Sequence, residues 1–301
     1  MKMSLEAVSP TLGRGWKSMF TVCGLKTCRN NLFMRGVQSR VGISLAQVWY
    51  CSMDCFAAAA CTRIVKLSAG STPDLPHVPR FSTGLAMLSK GYLTEAQLRS
   101  ATSQSQATGE EVGAALVRLG FASQKQLAAA RAAQWGYPAL RNELLGRPVE
   151  ALIPPTLLTA CSAVPVHCSM PSQRLLLGFV YRVEHTLLNS LEQITGLRAE
   201  PCFLTPAEFD EQMSRIAPIP NCEEVVCDDA STPAQIASAA GGFAVEVGAR
   251  EASFVRCQDY IWARLSGKRR KMDLLFRVRY ASGTGRATDF LSPPRNTALL
   301  G

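Results

Sequence analysis

The sequence has no G-x-x-x-x-G-K-[ST] loop; its Gly-Lys pair, Gly267-Lys268, runs straight into Arg269. Without the backbone amides and lysine that cradle phosphates there, a P-loop nucleotide hydrolase is excluded. There is no C-x-x-C pair, and the three histidines do not approach metal-ligand spacing. His167 and Cys168 are neighbours, but adjacent strand residues point to opposite faces and cannot act on each other as base and nucleophile. No stretch reaches the ~18 apolar residues of a membrane-spanning helix. The nearest, residues 41–61, is interrupted by Gln47 and Asp54. The run Lys268-Arg269-Arg270-Lys271 lacks the interleaved aromatics of a single-strand groove and reads as a solvated turn. The acidic residues Glu223, Glu224, Asp228 and Asp229 read as a solvated loop. The expectations are therefore no catalysis, no cofactor, no metal, no nucleic acid and no direct membrane insertion.

Eleven cysteines are present, five of them in the first 61 residues: Cys23, Cys28, Cys51, Cys55 and Cys61. Cys51, Cys55 and Cys61 could hold zinc but lack a clear fourth ligand, and reduced buried thiols are the simpler reading. The formal net charge of +9 is uneven: residues 1–79 hold nine Lys/Arg against three Asp/Glu, leaving +3 for the remainder. An Arg-rich, acid-poor leader has the composition of an organelle transit peptide. Pro10, Gly13, Gly15, Gly24, Gly36 and Gly42 cut any amphipathic helix short, so 1–79 reads as a disordered leader, such as an upstream start in the gene model would add.

What the chain does have is a repeat at an offset of 29 residues. Gly84, Leu88, Gly91, Thr94, Gln97, Leu98 and Ala101 recur as Gly113, Val117, Gly120, Ser123, Gln126, Leu127 and Ala130. Such a period means one supersecondary unit used twice. Each copy predicts a short helix, a glycine stop, a Thr/Ser capping box and a longer helix. In the first copy Leu85 and Leu88 share a face; the second ends at Gln134-Trp135-Gly136-Tyr137-Pro138. Beyond it, a helix start at Ile153-Pro154-Pro155, strands at 164–166, 174–181 and 198–204, and helices at 184–195 and 206–216 predict a small α/β layer with helices on one face. Residues 217–232 read as a linker, 233–247 as a helix, and 254–265 with 272–280 as a hairpin.

The expected class is α+β: a helical-hairpin tandem repeat (80–138) packed on a small α/β subdomain (139–217), then a linker, helix and β-hairpin (218–281) and a disordered tail (282–301). Cytoplasmic thiol usage sets the expected location.

From about Arg80 to Ile216 the chain resembles the N-terminal domain of type II secretion and type IV pilus assembly ATPases, without the ATPase core. The tandem Gly-x6-Gly-x6-Leu units, the Gln134–Pro138 ending, Leu152-Ile153-Pro154 and Thr195-Gly196-Leu197 carry the resemblance. It implies a docking or regulatory module that engages a protein of a secretion or pilus machine. Some members bind cyclic di-GMP through two copies of a motif beginning Arg-Leu-Gly and ending in Gln. On that pattern the surface here is Gly84, Leu88, Gly91, Leu98, Gly113, Val117, Gly120, Leu127 and Gln134. The arginine positions hold Ser82 and Glu111, and the first copy ends in Ser105. Two charge-assisted contacts of roughly 1.5–3 kcal/mol each are missing, and the Glu111 carboxylate would repel a dianion. The resemblance thus implies a degenerate surface that no longer binds the nucleotide.

Overall fold

The structure, a computed structural model, describes residues 23–28, 42–69, 81–140, 152–216 and 221–278. Most of the leader before Gly42, residues 70–80 and the tail read over 282–301 lie outside the described residues. Ile43–Leu45 (β1) and Val48–Tyr50 (β2) form an antiparallel hairpin, followed by a 17-residue helix, Met53–Ala69 (α1). The expectation of disorder across 1–79 is therefore wrong for 42–69. Averaging hid this segment: seven of the nine basic residues before position 80 precede Gly42. Within α1 the charges are Asp54, Arg63 and Lys66, while Phe56, Ala60 and Ile64 recur every four residues and are buried.

Four helices follow: Thr83–Ser89 (α2), Glu95–Thr108 (α3), Val112–Arg118 (α4) and Gln124–Trp135 (α5). Capping boxes start both long helices. Thr94 and Ser123 accept from the third-turn-residue amides of Gln97 and Gln126, whose side-chain oxygens accept back at 2.9 and 2.8 Å. Gly91 and Gly120 end the short helices at φ 68° and 71°, where a side chain would be strained. Helix α2 lies on α5, and α4 on α3. Met87, Leu116, Ala101 and Ala130 fill the space between them. The inward face of α2 is Ala86 and Met87, whereas Leu85, read as sharing a face with Leu88, is 52% exposed.

Next come Pro155–Cys161 (α6), Ala163–Ser169 (β3), Arg174–Phe179 (β4), His185–Thr195 (α7), Arg198–Phe203 (β5) and Pro206–Met213 (α8). The sheet order is β3-β4-β5, antiparallel then parallel, with the apolar β4 at the centre. Leu175, Leu177 and Phe179 join the side chains of α6 and α7. Val164, Val166 and Cys202 meet Phe209 and Met213 of α8. Helices cover both faces of this sheet, not the single face expected, because successive strand residues are apolar on both sides.

The last part holds Cys222–Cys227 (β6), Pro233–Val247 (α9), Ala249–Cys257 (β7), Tyr260–Gly267 (β8) and Lys271–Arg277 (β9). A six-stranded sheet runs β2-β1-β7-β8-β9-β6. Two expectations fail here. The linker contains β6, paired parallel to β9, and the strand read over 254–265 is two strands turning at Gln258-Asp259. The hairpin between β8 and β9 stands as read. Ile261, Ala263, Leu265, Met272, Leu274 and Phe276 face α1 and α9. Trp262, Leu275, Val255 and Cys257, on the other face, join the core of the α/β layer. Ser190 of α7 donates to the Arg256 carbonyl at 2.8 Å across this junction. The C-terminal strands are thus one side of a shared core. Residues 23–28 and 42–69 pack instead on the opposite face of the six-stranded sheet.

Candidate functional site

The nine residues of the degenerate surface divide by environment. A Cβ on Gly84 would stand 2.6 Å from Leu98 Cδ1, and one on Gly113 2.9 Å from Leu127 Cδ1. These glycine–leucine contacts set how closely each short helix meets the long one after it. Gly91 and Gly120 are exposed turn residues. Leu88 and Val117 are half-buried, and Val117 packs on the shared helical core. Gln134 Nε2 donates to the Phe81 carbonyl at 2.7 Å, and its Oε1 accepts from Thr83 Oγ1 at 2.8 Å. The glutamine therefore ties down the start of α2.

Both positions that would carry arginine have structural work. Ser82 caps α2, its Oγ accepting from the Leu85 amide at 3.3 Å. Glu111 precedes α4 without capping it; both its oxygens accept from Arg131 Nη2, at 2.9 and 2.7 Å. Arg131 is 4% exposed, and its Nη1 donates to the Val180 carbonyl at 3.0 Å. Its guanidinium lies 5.2 Å from the Tyr181 ring centroid. The expectation that Glu111 presents an unopposed carboxylate is thus corrected. Sequence spacing gave no hint of this pair, whose members lie 20 residues apart, Glu111 just ahead of α4 and Arg131 within α5.

Along α5, Arg131 and Gln134 hold two flanking segments, Val180-Tyr181 and Phe81–Thr83. These carry the exposed apolar side chains Phe81 (41%) and Tyr181 (48%), and Leu85 (52%) is exposed on the helix α2 that follows Phe81. A groove of about 400 Å³ runs along the outer side of α3, lined by Glu95, Leu98, Arg99, Thr102, Ser103 and Gln106. It offers hydrogen bonds and one exposed ion pair, Arg99–Glu95 at 3.7 Å, but no nucleophile beside a base.

The acidic residues and thiols singled out in the sequence do not form a reactive cluster. Glu223 pairs with Arg270 at 3.1 Å and Glu224 accepts from the Thr156 amide at 3.3 Å, both on strand β6, whereas Asp228 and Asp229 lie in the loop after it; the four carboxylates do not converge. Burial, then the Glu208 charge, pushes the Cys202 thiol up to about 12. Cys222 is pushed up to about 12 by burial, then by Asp273. Both stay protonated near neutrality and are poor nucleophiles. Cys51 and Cys55 do find partners: their sulfurs gather with those of Cys23 and Cys28, all within 4.8 Å of one another, and Cys61 is not in the group. The missing fourth partner was thus the wrong objection. One further segment, the turn bearing Cys23 and Cys28, and not the nearby Cys61, completes the set. Among the described residues, no helix is long and apolar enough to cross a membrane.

No protein-family model matches the chain, and no curated protein matches it. Among solved structures, one described as MshE with cdg is similar at 22% identity, over 46% of this chain and 100% of that one, with a TM-score of 0.39. Two structures of the N-terminal domain of XpsE are 23% identical. They cover 46% and 44% of this chain and 97% and 92% of theirs, with TM-scores of 0.35 and 0.29. The chain is similar to these structures over less than half its length.

Proposed function

We propose that this chain is a non-catalytic, cytoplasmic docking or regulatory module. In this reading α2–α3 and α4–α5 are two copies of one unit, and the protein holds a component of a secretion or pilus assembly machine. One observation carries it: Phe81 and Tyr181 stay exposed on segments that Gln134 and Arg131 of α5 hold by hydrogen bonds, and Leu85 stays exposed on α2, so these apolar side chains are positioned before any partner arrives. Pre-fixed apolar side chains lower the ordering cost of an interface. The motif resemblance supplies the class of partner.

The test is capture from native lysate with the full chain as bait, since α1 belongs to the core. A secretion or pilus assembly component is expected on the wild-type chain and its retention should fall by about tenfold or more with Leu85→Glu, as for loss of an interface anchor worth more than ~1 kcal/mol. Thermal unfolding should barely move, because the site is exposed. Capture that ignores the substitution, or that brings down no such component, would sink the reading.

A second reading, a cyclic di-GMP receptor with a degenerate motif, is favoured by Arg131 standing beside the second copy's motif start. Against it, that guanidinium is closed on Glu111. Calorimetry with cyclic di-GMP is expected to show no micromolar isotherm on the native chain. A micromolar isotherm abolished by Arg131→Met would establish the receptor instead.

A further inference from the structure

Two short segments far apart in sequence deliver four sulfurs to one point. Cys23 and Cys28 close a six-residue turn, in which the Cys28 amide donates to the Leu25 carbonyl at 3.0 Å. Cys51 directly follows β2, and Cys55 lies in the first turn of α1, its amide donating to Ser52 Oγ at 3.3 Å. The Sγ atoms of Cys28 and Cys51 are 3.5 Å apart, those of Cys51 and Cys55 3.9 Å, and all four fall within 4.8 Å of one another. A disulfide would bring a pair to about 2.05 Å. Thiolates around a tetrahedral zinc, with Zn–S near 2.3 Å, stand about 3.8 Å apart. The observed spacing matches the second arrangement.

The surroundings are built for the same purpose. The 23–28 turn sits tightly on β2: the Gly24 amide donates to the Trp49 carbonyl at 2.8 Å, and a Cβ on Gly24 would fall 2.1 Å from Val48 Cγ1. That approach fixes Cys23 and Cys28 over the hairpin end. Zinc with four thiolates carries a net charge of −2, and Lys26, Arg63 and Lys66 line the groove of about 390 Å³ beside Gly24 and Tyr50. Cys23, Cys51 and Cys55 are buried and Cys28 half-buried, so the centre is shielded from solvent.

We propose that Cys23, Cys28, Cys51 and Cys55 bind one zinc ion as a structural site. Four protein sulfurs close the coordination sphere and leave no position for a water or substrate. The ion's task is mechanical: it staples the 23–28 turn to the β1–β2 hairpin and to the start of α1, and so secures one edge of the six-stranded sheet. Cys61, six residues past Cys55, takes no part.

The experiment uses the full, untagged chain, purified under reducing conditions. Elemental analysis is expected to give about one zinc per chain, and chelation followed by cobalt(II) to give the thiolate charge-transfer and visible bands of a tetrahedral four-sulfur site. Cys51→Ser and Cys55→Ser should lose the metal or bind it at least tenfold more weakly, whereas Cys61→Ser should retain it in full. If the serine variants fail to fold, the wild-type cobalt spectrum decides alone, since its charge-transfer intensity reports the number of thiolates. Wild-type chain that carries no zinc and takes up no cobalt overturns the proposal. So does stoichiometric iron in place of zinc, a Cys28–Cys51 disulfide found by peptide mapping, or metal loss in folded Cys61→Ser.

Discussion

Asp273→Asn is expected to lower unfolding free energy by about 3–5 kcal/mol, the usual cost of breaking a buried ion pair from one side. Asp273 is 1% exposed in the middle of β9, on the face turned to the α/β layer. Its Oδ1 accepts from Trp262 Nε1 and Arg264 Nε, both at 2.8 Å, and its Oδ2 accepts from Arg264 Nη2 at 2.8 Å. The Cys222 thiol of β6 donates to Oδ2 at 3.4 Å, so one carboxylate ties together three neighbouring strands. Arg264 reaches on to the Leu152 carbonyl at 3.1 Å, at the entrance to α6. Asparagine keeps the shape but removes the charge and turns an amide N–H₂ toward guanidinium donors. The arginine, its side chain 13% exposed, is then left with an uncompensated charge. The double variant Arg264→Met/Asp273→Leu removes both charges together. It should recover most of the loss, short of ~1–3 kcal/mol for an indole N–H left without an acceptor. Urea unfolding of the three proteins checks this. If Asp273→Asn alone costs less than about 1 kcal/mol, the carboxylate is not the clasp described.

The parts of the fold that were legible in sequence are those written locally. Thr94-x-x-Gln97 and Ser123-x-x-Gln126 each announce a helix start through contacts that span three residues, and α9 begins and ends where Pro233 and Gly248 say it should. What escaped depends on partners distant in the chain. Strand β6 looks like an acidic linker because Glu223 and Glu224 are charged, and its pairing with β9 comes from residues almost fifty positions later. The turn between β7 and β8 has neither glycine nor proline; Gln258 adopts φ 51° there, a conformation that its residue type does not advertise. The site follows the same division. The glycines and leucines of the doubled motif were readable from spacing, and the loss of both motif arginines followed from the family resemblance. That Glu111 is neutralised was not readable, because Arg131 lies 20 residues further on, within α5. The four cysteines likewise show no short-range signature: each pair has a loose spacing, and 22 residues separate Cys28 from Cys51.

Phe56→Ala separates a folded N-terminal segment from a disordered one. A side chain in a disordered leader can be truncated at almost no cost, since it is equally solvated before and after unfolding. In the structure Phe56 is fully buried, its ring 6.3 Å from that of Phe254 on β7. It lies in the layer that α1 and α9 form over the six-stranded sheet, among Ile64, Ala240, Ala263 and Leu274. Removing it leaves a cavity that the regular sheet behind it cannot collapse to fill, so the expected loss is about 3–5 kcal/mol. Strand β1 sharpens the argument. It pairs parallel with β7 through Ser44↔Glu251 and Leu45↔Ala252, so the N-terminal segment extends the sheet as well as covering it. A chain lacking residues 1–69 would bare Phe254, Ala263 and Leu274 together, an apolar face of the kind that drives aggregation. Denaturant unfolding of Phe56→Ala is the cleaner measurement, because the full chain is kept. A change in unfolding free energy below about 0.5 kcal/mol would mean that α1 does not hold to the sheet in solution.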